Sequence, residues 1–415
     1  MVYFSNKNNY NYSTSRVTRK KMKLRLSLSY IWFCFWFWQS LLPGIVIIFE
    51  NSFKELYEQQ LVGLISTIIM FVLTFLTALK YTSSPTQIRS TVVYGWMLYI
   101  MVTFLVTLIS PYSKIEEFVS FARLIFSFII VVLTTYTLPP KLTTLSAVRG
   151  YFWGFLISIV IASFYQGQES SGSSMRWGES LVEGSNFSHF FGNSGSLMFL
   201  FMITHPPYGS RFIRALATFG SISIALLAFT RTSLVGLLLG VTIILIKSFN
   251  KKVLLGVLLA SVVIILMNDY LLTQITTYQY SATLTGRTPL WELILGNLIW
   301  KSPVLGFGYQ SMDDIIGKYG FGWTITHAHN AYIDVLFTSG FVGLCIFVPL
   351  IASSLITILQ IELAAKQARG IFLSIAIFLL VKSLNDSALH LGFDFLILLT
   401  LTLIAERVRV MGKCC

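Results

Sequence analysis

The amino-acid sequence predicts an all-α, polytopic integral membrane protein with about twelve transmembrane helices. Hydrophobic residues make up 55% of the 415 residues and charged residues only 11%, and the mean hydropathy is +0.74. A soluble globule cannot bury this much apolar surface, whereas a bilayer accepts it. Apolar runs of span length also recur along the whole chain, and the linkers between them alternate in charge.

Each predicted span is an apolar run close to the roughly 20 residues that a helix needs to cross a bilayer. The runs lie near residues 30–49, 61–79, 91–110, 118–138, 148–165, 189–204, 212–230, 232–247, 252–268, 331–358, 370–387 and 391–405. The chain therefore divides into a basic tail (1–29), spans one to nine (30–268), a long outer loop (269–330), spans ten to twelve (331–405) and a short tail (406–415).

The charges of the linkers predict the orientation of the chain. Lys and Arg concentrate in the linkers on the side of the basic block from Lys7 to Arg25, while most acidic residues fall in the linkers of the other side. Cytoplasmic loops carry the excess of Lys and Arg in membrane proteins. Both termini are therefore predicted to be cytoplasmic, and the two long linkers, 166–188 and 268–330, are predicted to lie outside.

The net charge of +13 does not indicate a nucleic-acid partner. The basic residues stand in twos and threes between apolar runs and do not form one face with interleaved aromatic residues. The four cysteines give no disulfide framework, and the first apolar run lacks the cleavage site of a signal peptide. Membrane lipids are therefore the predicted surroundings.

The second long loop contains a predicted helix of its own. The sequence GRTPLWELILGNLIWKSP offers Thr288 as the N-cap and Pro289 as the first helical residue. Apolar residues recur at helical spacing until Pro303 and Gly306 end the pattern. At about 12 residues this helix is too short to span, so we expect it to lie along the outer face. The GFGY sequence that contains Gly306 is predicted to be a turn.

Two isolated arginines lie on the outer side, where positive charge is scarce. Arg287 precedes the cap of the short helix, and a guanidinium at a helix N-terminus favours an anion such as phosphate. Solvation of the loop, or an ion pair with Glu292, is the alternative. Arg231 stands where one span ends and the next begins, so it must face protein, water or a bound anion. For Arg231 the alternative is an anchor at the lipid headgroups.

Two of the five histidines, His327 and His329, stand directly before an apolar run. A His-x-His pair can bind a metal, but apart from Asp334 the sequence offers no further ligand nearby, so neither a metal nor a cofactor is predicted. A neutral imidazole can also act as a general base or orient a substrate by hydrogen bonding. A structural histidine at the membrane interface is the remaining alternative.

Several other polar residues on the outer side are candidates for lining a common cavity. They are Arg176 and His189 of the first long loop and Asp386, His390 and Asp394 around the last outer turn. Arg123 and Lys382 fall within predicted spans, where charged residues are usually paired or functional.

The stretch HNAYIDVLFTSGFVG consists of His329 and Asn330, nine residues, Gly340, two residues and Gly343. This pattern resembles the hallmark of bacterial O-antigen ligases, which related polysaccharide polymerases and protein O-oligosaccharyltransferases share. The fuller HAHNAYIDVL and the upstream GRTPLWELILGNLIWKSPVLGFGY look like the polymerase and exopolysaccharide branch. The resemblance covers about Phe229 to Gly343. The chain departs from the protein-glycosylating branch because it shows no sizeable C-terminal region.

The resemblance implies a metal-independent membrane glycosyltransferase of GT-C-like architecture in the bacterial inner membrane. Such an enzyme takes a glycan from undecaprenyl diphosphate at the periplasmic face and joins it to a hydroxyl of another glycan or of lipid A-core. Carried over by position, Arg231 and Arg287 hold the diphosphate and His329 activates or orients the acceptor. The further substrate-binding candidates are Asn330, His327, Arg176, His189 and Asp334.

Other classes of function stay open. A flippase for lipid-linked oligosaccharides also has about twelve spans, but it should show two homologous halves and a central charged path, which this sequence does not show. A non-catalytic assembly subunit would keep its function after substitution of any of these polar residues. The sequence does not decide between a polymerase and a ligase.

Overall fold

The structure is a computed structural model, and its regular elements are helices throughout the residues that it describes. These are 16–50, 56–81, 90–112, 114–168, 187–204, 211–228, 230–248, 287–309, 311–319, 325, 327–364, 370–384, 386–387, 389–390 and 392–412. The helices are α1 (Arg16–Glu50), α2 (Leu56–Tyr81), α3 (Thr91–Ile109), α4 (Ile115–Thr137), α5 (Pro140–Gln168), α6 (Phe187–Thr204), α7 (Arg211–Leu227), α8 (Arg231–Ser248), α9 (Arg287–Leu293), α10 (Met312–Ile316), α11 (Ala331–Ala364), α12 (Ile371–Ser383) and α13 (Phe393–Gly412). The predicted all-α class is confirmed for these residues.

A helix occupies every predicted span that falls within the described residues, and the span predicted at 252–268 lies outside them. Five helical segments are long and apolar enough to cross a membrane: Leu61–Lys80, Thr91–Ile109, Glu117–Thr137, Pro140–Phe164 and Ala331–Leu363. Shorter apolar helices lie at Phe190–Ile203, Arg214–Leu227, Thr232–Ile246 and Ile371–Ser383. A multi-helix membrane protein follows from these lengths and compositions, while the total of about twelve spans stays a prediction.

Helix packing brings together helix ends that the charge pattern assigns to the outer side. α12 packs against α6 and α8, and α11 packs against α3 and α13. Near the start of α6, the Asn193 amide lies 3.4 Å from Asp386 Oδ2, which follows α12. Just before α11, Asn330 Nδ2 donates to the Leu384 carbonyl at 3.0 Å. The predicted outer loop therefore lies against helix ends that belong to the same predicted side.

The helix α11 is interrupted at Gly340, whose φ of 61° and ψ of −161° are not helical. The segment Pro303–Gly308 crosses this interruption and forms backbone hydrogen bonds with both halves of the helix. They run from Phe307 N to Phe337 O, from Gly308 N to Thr338 O, from Phe341 N to Pro303 O and from Val342 N to Val304 O, at 2.8–3.2 Å. An interrupted helix leaves carbonyl and N–H groups without helical partners, and this segment supplies the partners.

Two glycines allow this close crossing. A Cβ on Gly340 would clash with the Val304 carbonyl and lie 2.7 Å from Gly306 N. Gly306 has a φ of 72°, a left-handed conformation that favours glycine. The GFGY turn predicted from the sequence is therefore found, and its partner is the first glycine of the His-Asn motif.

The short helix predicted in the outer loop is present, and α9 begins at Arg287, one residue before the predicted cap Thr288. Pro289 lies in the first turn, where its missing N–H leaves no helical bond unmade. After α9 the chain continues through a π turn (Ile294–Leu298) and a 3-10 turn (Ile299–Lys301). Of the predicted apolar repeat, Leu290, Ile294 and Leu298 are buried, whereas Leu295 and Trp300 are exposed. The buried residues belong to a small core of Leu290, Ile294, Leu298, Phe307, Met312, Ile315, Ile316, Ile325, Ala328 and Phe337.

Candidate functional site

The two histidines before α11 lie on a short loop, and their imidazole rings are in contact. The ring centroids of His327 and His329 are 4.3 Å apart, with an interplanar angle of 62°. His329 has a φ of 53°, the left-handed region that costs a non-glycine residue about 1–3 kcal/mol. Such a conformation persists only where its surroundings hold it, and the neighbouring residue shows how this loop is held.

The peptide groups of Ala328, between the two histidines, are fixed from two sides. The Ala328 N–H donates to Asp334 Oδ1 at 3.0 Å, and the Ala328 carbonyl accepts from Trp291 Nε1 at 2.8 Å. Trp291 lies one helical turn after Arg287. The histidine loop is therefore tied both to the first turn of α11 and to the helix that Arg287 begins.

Asn330, the second residue of the motif, caps α11. Its Oδ1 accepts from the N–H groups of Tyr332 and Ile333 at 3.0 and 3.1 Å, as an N-cap residue does. Its Nδ2 donates to the Leu384 carbonyl, which ends α12. Asn330 was predicted to bind substrate, and its amide group serves the fold at both atoms.

Asp334 was also predicted to bind substrate, and both of its oxygens have partners within the protein. Besides the Ala328 bond, Asp334 Oδ2 lies 2.7 Å from His390 Nδ1. Asp334 is 7% exposed and His390 is 3% exposed. The predicted cavity residue His390 is therefore a buried partner of the motif helix.

Arg287 is half-buried at the start of α9. Burial lowers the pKa of its guanidinium, and the negative charge of Asp386 raises it in opposition. Asp386 lies next to the last predicted outer turn, 99 residues after Arg287 in the chain. The fold therefore brings an arginine and a carboxylate from two distant segments close enough to interact electrostatically. An anion that approaches Arg287 meets a partly desolvated cation, for which charge-assisted hydrogen bonds are strong.

Lys382 continues this arrangement of charges towards α13. Its Nζ lies 3.4 Å from Asp386 Oδ2 and 2.6 Å from Asp394 Oδ2. Lys382 and Asp394 are 5% and 2% exposed. The sequence left open whether Lys382 is paired or functional, and the structure pairs it with two of the predicted cavity residues.

A series of hydrogen bonds links the start of α8 to the same carboxylate. Thr230 Oγ1 donates to Ser233 Oγ at 2.6 Å, Ser233 Oγ donates to Asn193 Oδ1, and the Asn193 amide reaches Asp386. Arg231 is the first residue of α8, although its side chain lies outside the described residues. The start of α8 is thus hydrogen-bonded to Asp386, whose negative charge also acts on Arg287 at the start of α9.

Two other predicted residues are not placed by the structure. Arg176 and the side chain of His189 lie outside the described residues.

Arg123, within α4, donates to Gln39 Oε1 at 3.3 Å, so this charge also has a polar partner.

Sequence reasoning missed Trp291, Asn193 and Tyr309 as parts of this region. Tyr309 follows the Gly306–Gly308 turn, its N–H donates to Thr107 Oγ1 at 3.0 Å, and its ring lies 6.1 Å from that of His390. Burial, with the negative charge of Asp334 as a smaller contribution, raises the pKa of Tyr309 to about 12. The one signal in the sequence that could have identified Tyr309 is its position directly after the Gly306–Gly308 turn.

Among the residues that the structure describes, no three His, Cys, Asp or Glu side chains are grouped as metal ligands would be. The two histidines of the loop are within reach of one another, but Asp334 is occupied by Ala328 and His390. The imidazole and guanidinium groups of this region are suited to hydrogen bonding, proton transfer and anion binding.

Comparison with known protein families gave a match to part of the chain. The model of the O-antigen ligase family matches residues 216–348. This segment runs from α7 into α11 and contains Arg231, Arg287, both histidines of the loop and Gly340. The resemblance to O-antigen ligases that the His-Asn motif indicates is confirmed. Comparison with curated proteins gave no match.

Proposed function

We propose that this protein is a glycosyltransferase of the O-antigen ligase and polymerase type, which acts in the biosynthesis of a cell-surface polysaccharide. It moves a glycan from undecaprenyl diphosphate to an acceptor hydroxyl at the periplasmic face of the inner membrane. One observation carries the proposal: the loop of His327 and His329 is hydrogen-bonded through Trp291 to the helix that begins at Arg287. The family match over residues 216–348 supports the same class of reaction.

Arg287 suits the leaving group. When the acceptor oxygen bonds to the anomeric carbon, the bond from that carbon to the diphosphate oxygen breaks and negative charge grows on the diphosphate. A guanidinium held at a helix start can bind a phosphate through two parallel hydrogen bonds. Arg231, at the start of α8, is the second cation proposed for this diphosphate.

His329 suits the acceptor. The attacking hydroxyl must lose its proton, and an imidazole is the side chain best matched to that transfer near neutral pH. The Ala328 contacts tie the backbone of the loop that carries His329 to α9 and to α11. Proton transfer to His329 and charge stabilisation by arginine together need no metal, so a metal-independent reaction is part of the proposal.

The acceptor class is a narrower part of the proposal. The acceptor is another lipid-linked glycan in a polymerase and lipid A-core in a ligase, and transfer assays with both acceptors distinguish the two. A flippase remains the second candidate because the chain has many apolar helices, but the buried and mutually bonded charges around Asp386 favour a fixed site over a charged path.

The test measures the rate at which the purified protein transfers a glycan from undecaprenyl diphosphate to an acceptor. The donor is isolated from the cells that produce the protein, and the acceptor is a lipid-linked glycan or lipid A-core. His329→Ala should lower the rate by about 10²–10⁴-fold, the usual value of general acid–base catalysis. His327→Ala is the matched control on the same loop and should be milder. EDTA should leave the rate unchanged.

Arginine variants test the leaving-group role separately. Arg287→Lys should be nearly as harmful as Arg287→Ala, because Lys lacks the planar fork, and the loss should be about 1.5–3 kcal/mol. Arg409, which lies at the end of α13 and bonds Gln360, gives the control variant Arg409→Lys, which should transfer at the normal rate. Wild-type protein that transfers no glycan to either acceptor, or a fully active His329→Ala, would rule out this function as stated.

A further inference from the structure

We infer that Asp334 and His390 form a positioning pair that holds the histidine loop in its reactive conformation without binding substrate. The inference rests on the proposed function and extends the site to His390, which lies beyond the matched segment 216–348. His390 belongs to the turn between α12 and α13, so this turn helps to build the site although the family motif does not include it.

The carboxylate of Asp334 is the centre of this arrangement. Its Oδ1 accepts from the Ala328 N–H at 3.0 Å, and its Oδ2 pairs with His390 Nδ1 at 2.7 Å. Both residues are nearly buried, at 7% and 3% exposure. One carboxylate therefore binds the peptide between the two candidate histidines and is itself oriented by a second imidazole.

The other nitrogen of His390 also faces a fixed oxygen. His390 Nε2 lies 3.4 Å from Thr338 Oγ1, and the Thr338 hydroxyl donates to the Asp334 carbonyl at 2.8 Å. That hydroxyl is therefore fixed by its own bond to the α11 backbone, and it gives Nε2 a defined polar neighbour. The two ring nitrogens thus lie against two residues of α11, Asp334 and Thr338, that are four positions apart on one helix face.

Aromatic rings fix the remaining freedom of His390. The rings of Tyr99 and Tyr309 both lie 6.1 Å from it and that of Phe347 lies 6.4 Å away. A side chain held by packing and by polar contacts at both ring nitrogens is what supports a precise site. Since His329 has a positive φ, the loop needs this support to keep its conformation.

Loss of the pair should move the loop and lower kcat without weakening donor binding. A misplacement of about 1 Å can cost about 10²-fold in rate, because the reacting groups must be aligned. The KM for the lipid-linked donor should stay near that of wild type, because the proposed function assigns the donor's diphosphate to Arg287 and Arg231 and not to this pair.

Two isosteric replacements of His390 separate positioning from packing. In His390→Asn the amide nitrogen takes the place of Nδ1 and can donate to Asp334. In His390→Gln the amide reaches the place of Nε2 and leaves Asp334 Oδ2 without its partner. We expect His390→Asn to keep at least about a third of the wild-type kcat and His390→Gln to lose about 10²-fold, with KM unchanged in both.

Hydrogen exchange supplies a readout that does not depend on activity. The Ala328 amide should be protected in wild type and in His390→Asn, and it should exchange at least about tenfold faster in His390→Gln and in Asp334→Ala. If the wild-type protein transfers no glycan, the proposed function fails, while the exchange experiment still tests the pair. Equal kcat for His390→Asn and His390→Gln, or an Ala328 amide that exchanges equally in all four proteins, would overturn the inference. Should His390→Gln not fold, the comparison of wild type, His390→Asn and Asp334→Ala decides the question by the same readouts.

Discussion

Replacement of Gly340 by alanine should destabilise the protein strongly, although the change adds one methyl group. Gly340 has a φ of 61° and a ψ of −161°, a region that is essentially restricted to glycine. Forcing alanine into it costs about 1–3 kcal/mol. The new Cβ would also clash with the Val304 carbonyl and lie 2.7 Å from Gly306 N, both of which are backbone atoms that cannot rotate away.

The clash must be relieved by moving the Pro303–Gly308 segment, and this adds to the cost. The bonds from Phe341 N to Pro303 O, at 2.8 Å, and from Val342 N to Val304 O, at 3.2 Å, lie next to the new methyl group. Each buried group left without a partner costs about 1–3 kcal/mol. The loss of one such bond together with the backbone strain gives a total of about 2–6 kcal/mol.

The assay is thermal unfolding of the purified protein in one detergent, together with the rate of glycan transfer. Gly220→Ala is the matched control, because a Cβ at Gly220, within α7, meets nothing within 4 Å. Alanine is favoured over glycine in a helix by up to about 1 kcal/mol, so this control should unfold at the same or a slightly higher temperature. A Gly340→Ala protein that unfolds with the control and transfers glycan at the normal rate would refute the reasoning.

Three further predictions concern topology, buried charge and pH. Gly317→Cys, at an exposed position with open space around its Cβ, should react with an impermeant maleimide from the periplasmic side after the native cysteines are replaced; reaction only in permeabilised cells would contradict the outer placement of the loop. Lys382→Met should lower the free energy of unfolding by about 3–5 kcal/mol, because it leaves Asp394 buried without its cation. Lys114→Met removes the exposed ion pair with Asp314 and should lower it by less than about 1 kcal/mol. Similar losses in the two variants would contradict the burial argument. The pKa of Tyr309 is about 12 in the folded protein and about 10 in an unfolded chain, so its contribution to the free energy of unfolding should be fully present below pH 10 and be lost as the pH rises to 12. In Tyr309→Phe the unfolding temperature should therefore fall less steeply over this pH range. An unchanged pH profile would show that Tyr309 is not the source of the fall.

Helix positions could be predicted from the sequence because span length and apolar composition are local properties. The run at 91–110 became α3 at Thr91–Ile109, and the loop helix was found from Pro289 and the apolar repeat. The helix begins at Arg287, two residues before the predicted first helical residue Pro289, since capping signals around a proline in the first turn are ambiguous.

The partners within the site could be predicted only in part. Arg287 and His329 were identified because they stand out as polar residues beside apolar runs and fit the family motif. The pairing of Asp334 with His390 could not be predicted, because 56 residues separate them and their contact depends on how α11, α12 and α13 pack. The linkage of α8 to Asp386 through Asn193 has the same origin, since each residue alone looks like an ordinary polar residue near a helix end.

The interruption of α11 also has a consequence for the biogenesis of the protein. A broken helix cannot enter the hydrocarbon core alone, because its free carbonyl and N–H groups would have no partners there. The segment Pro303–Gly308 that satisfies them precedes α11 in the chain, so it is synthesised first and is present when α11 emerges. Insertion of α11 should thereby depend on prior folding of the preceding loop, and we expect a lesion in that loop to appear as retained or degraded nascent chain.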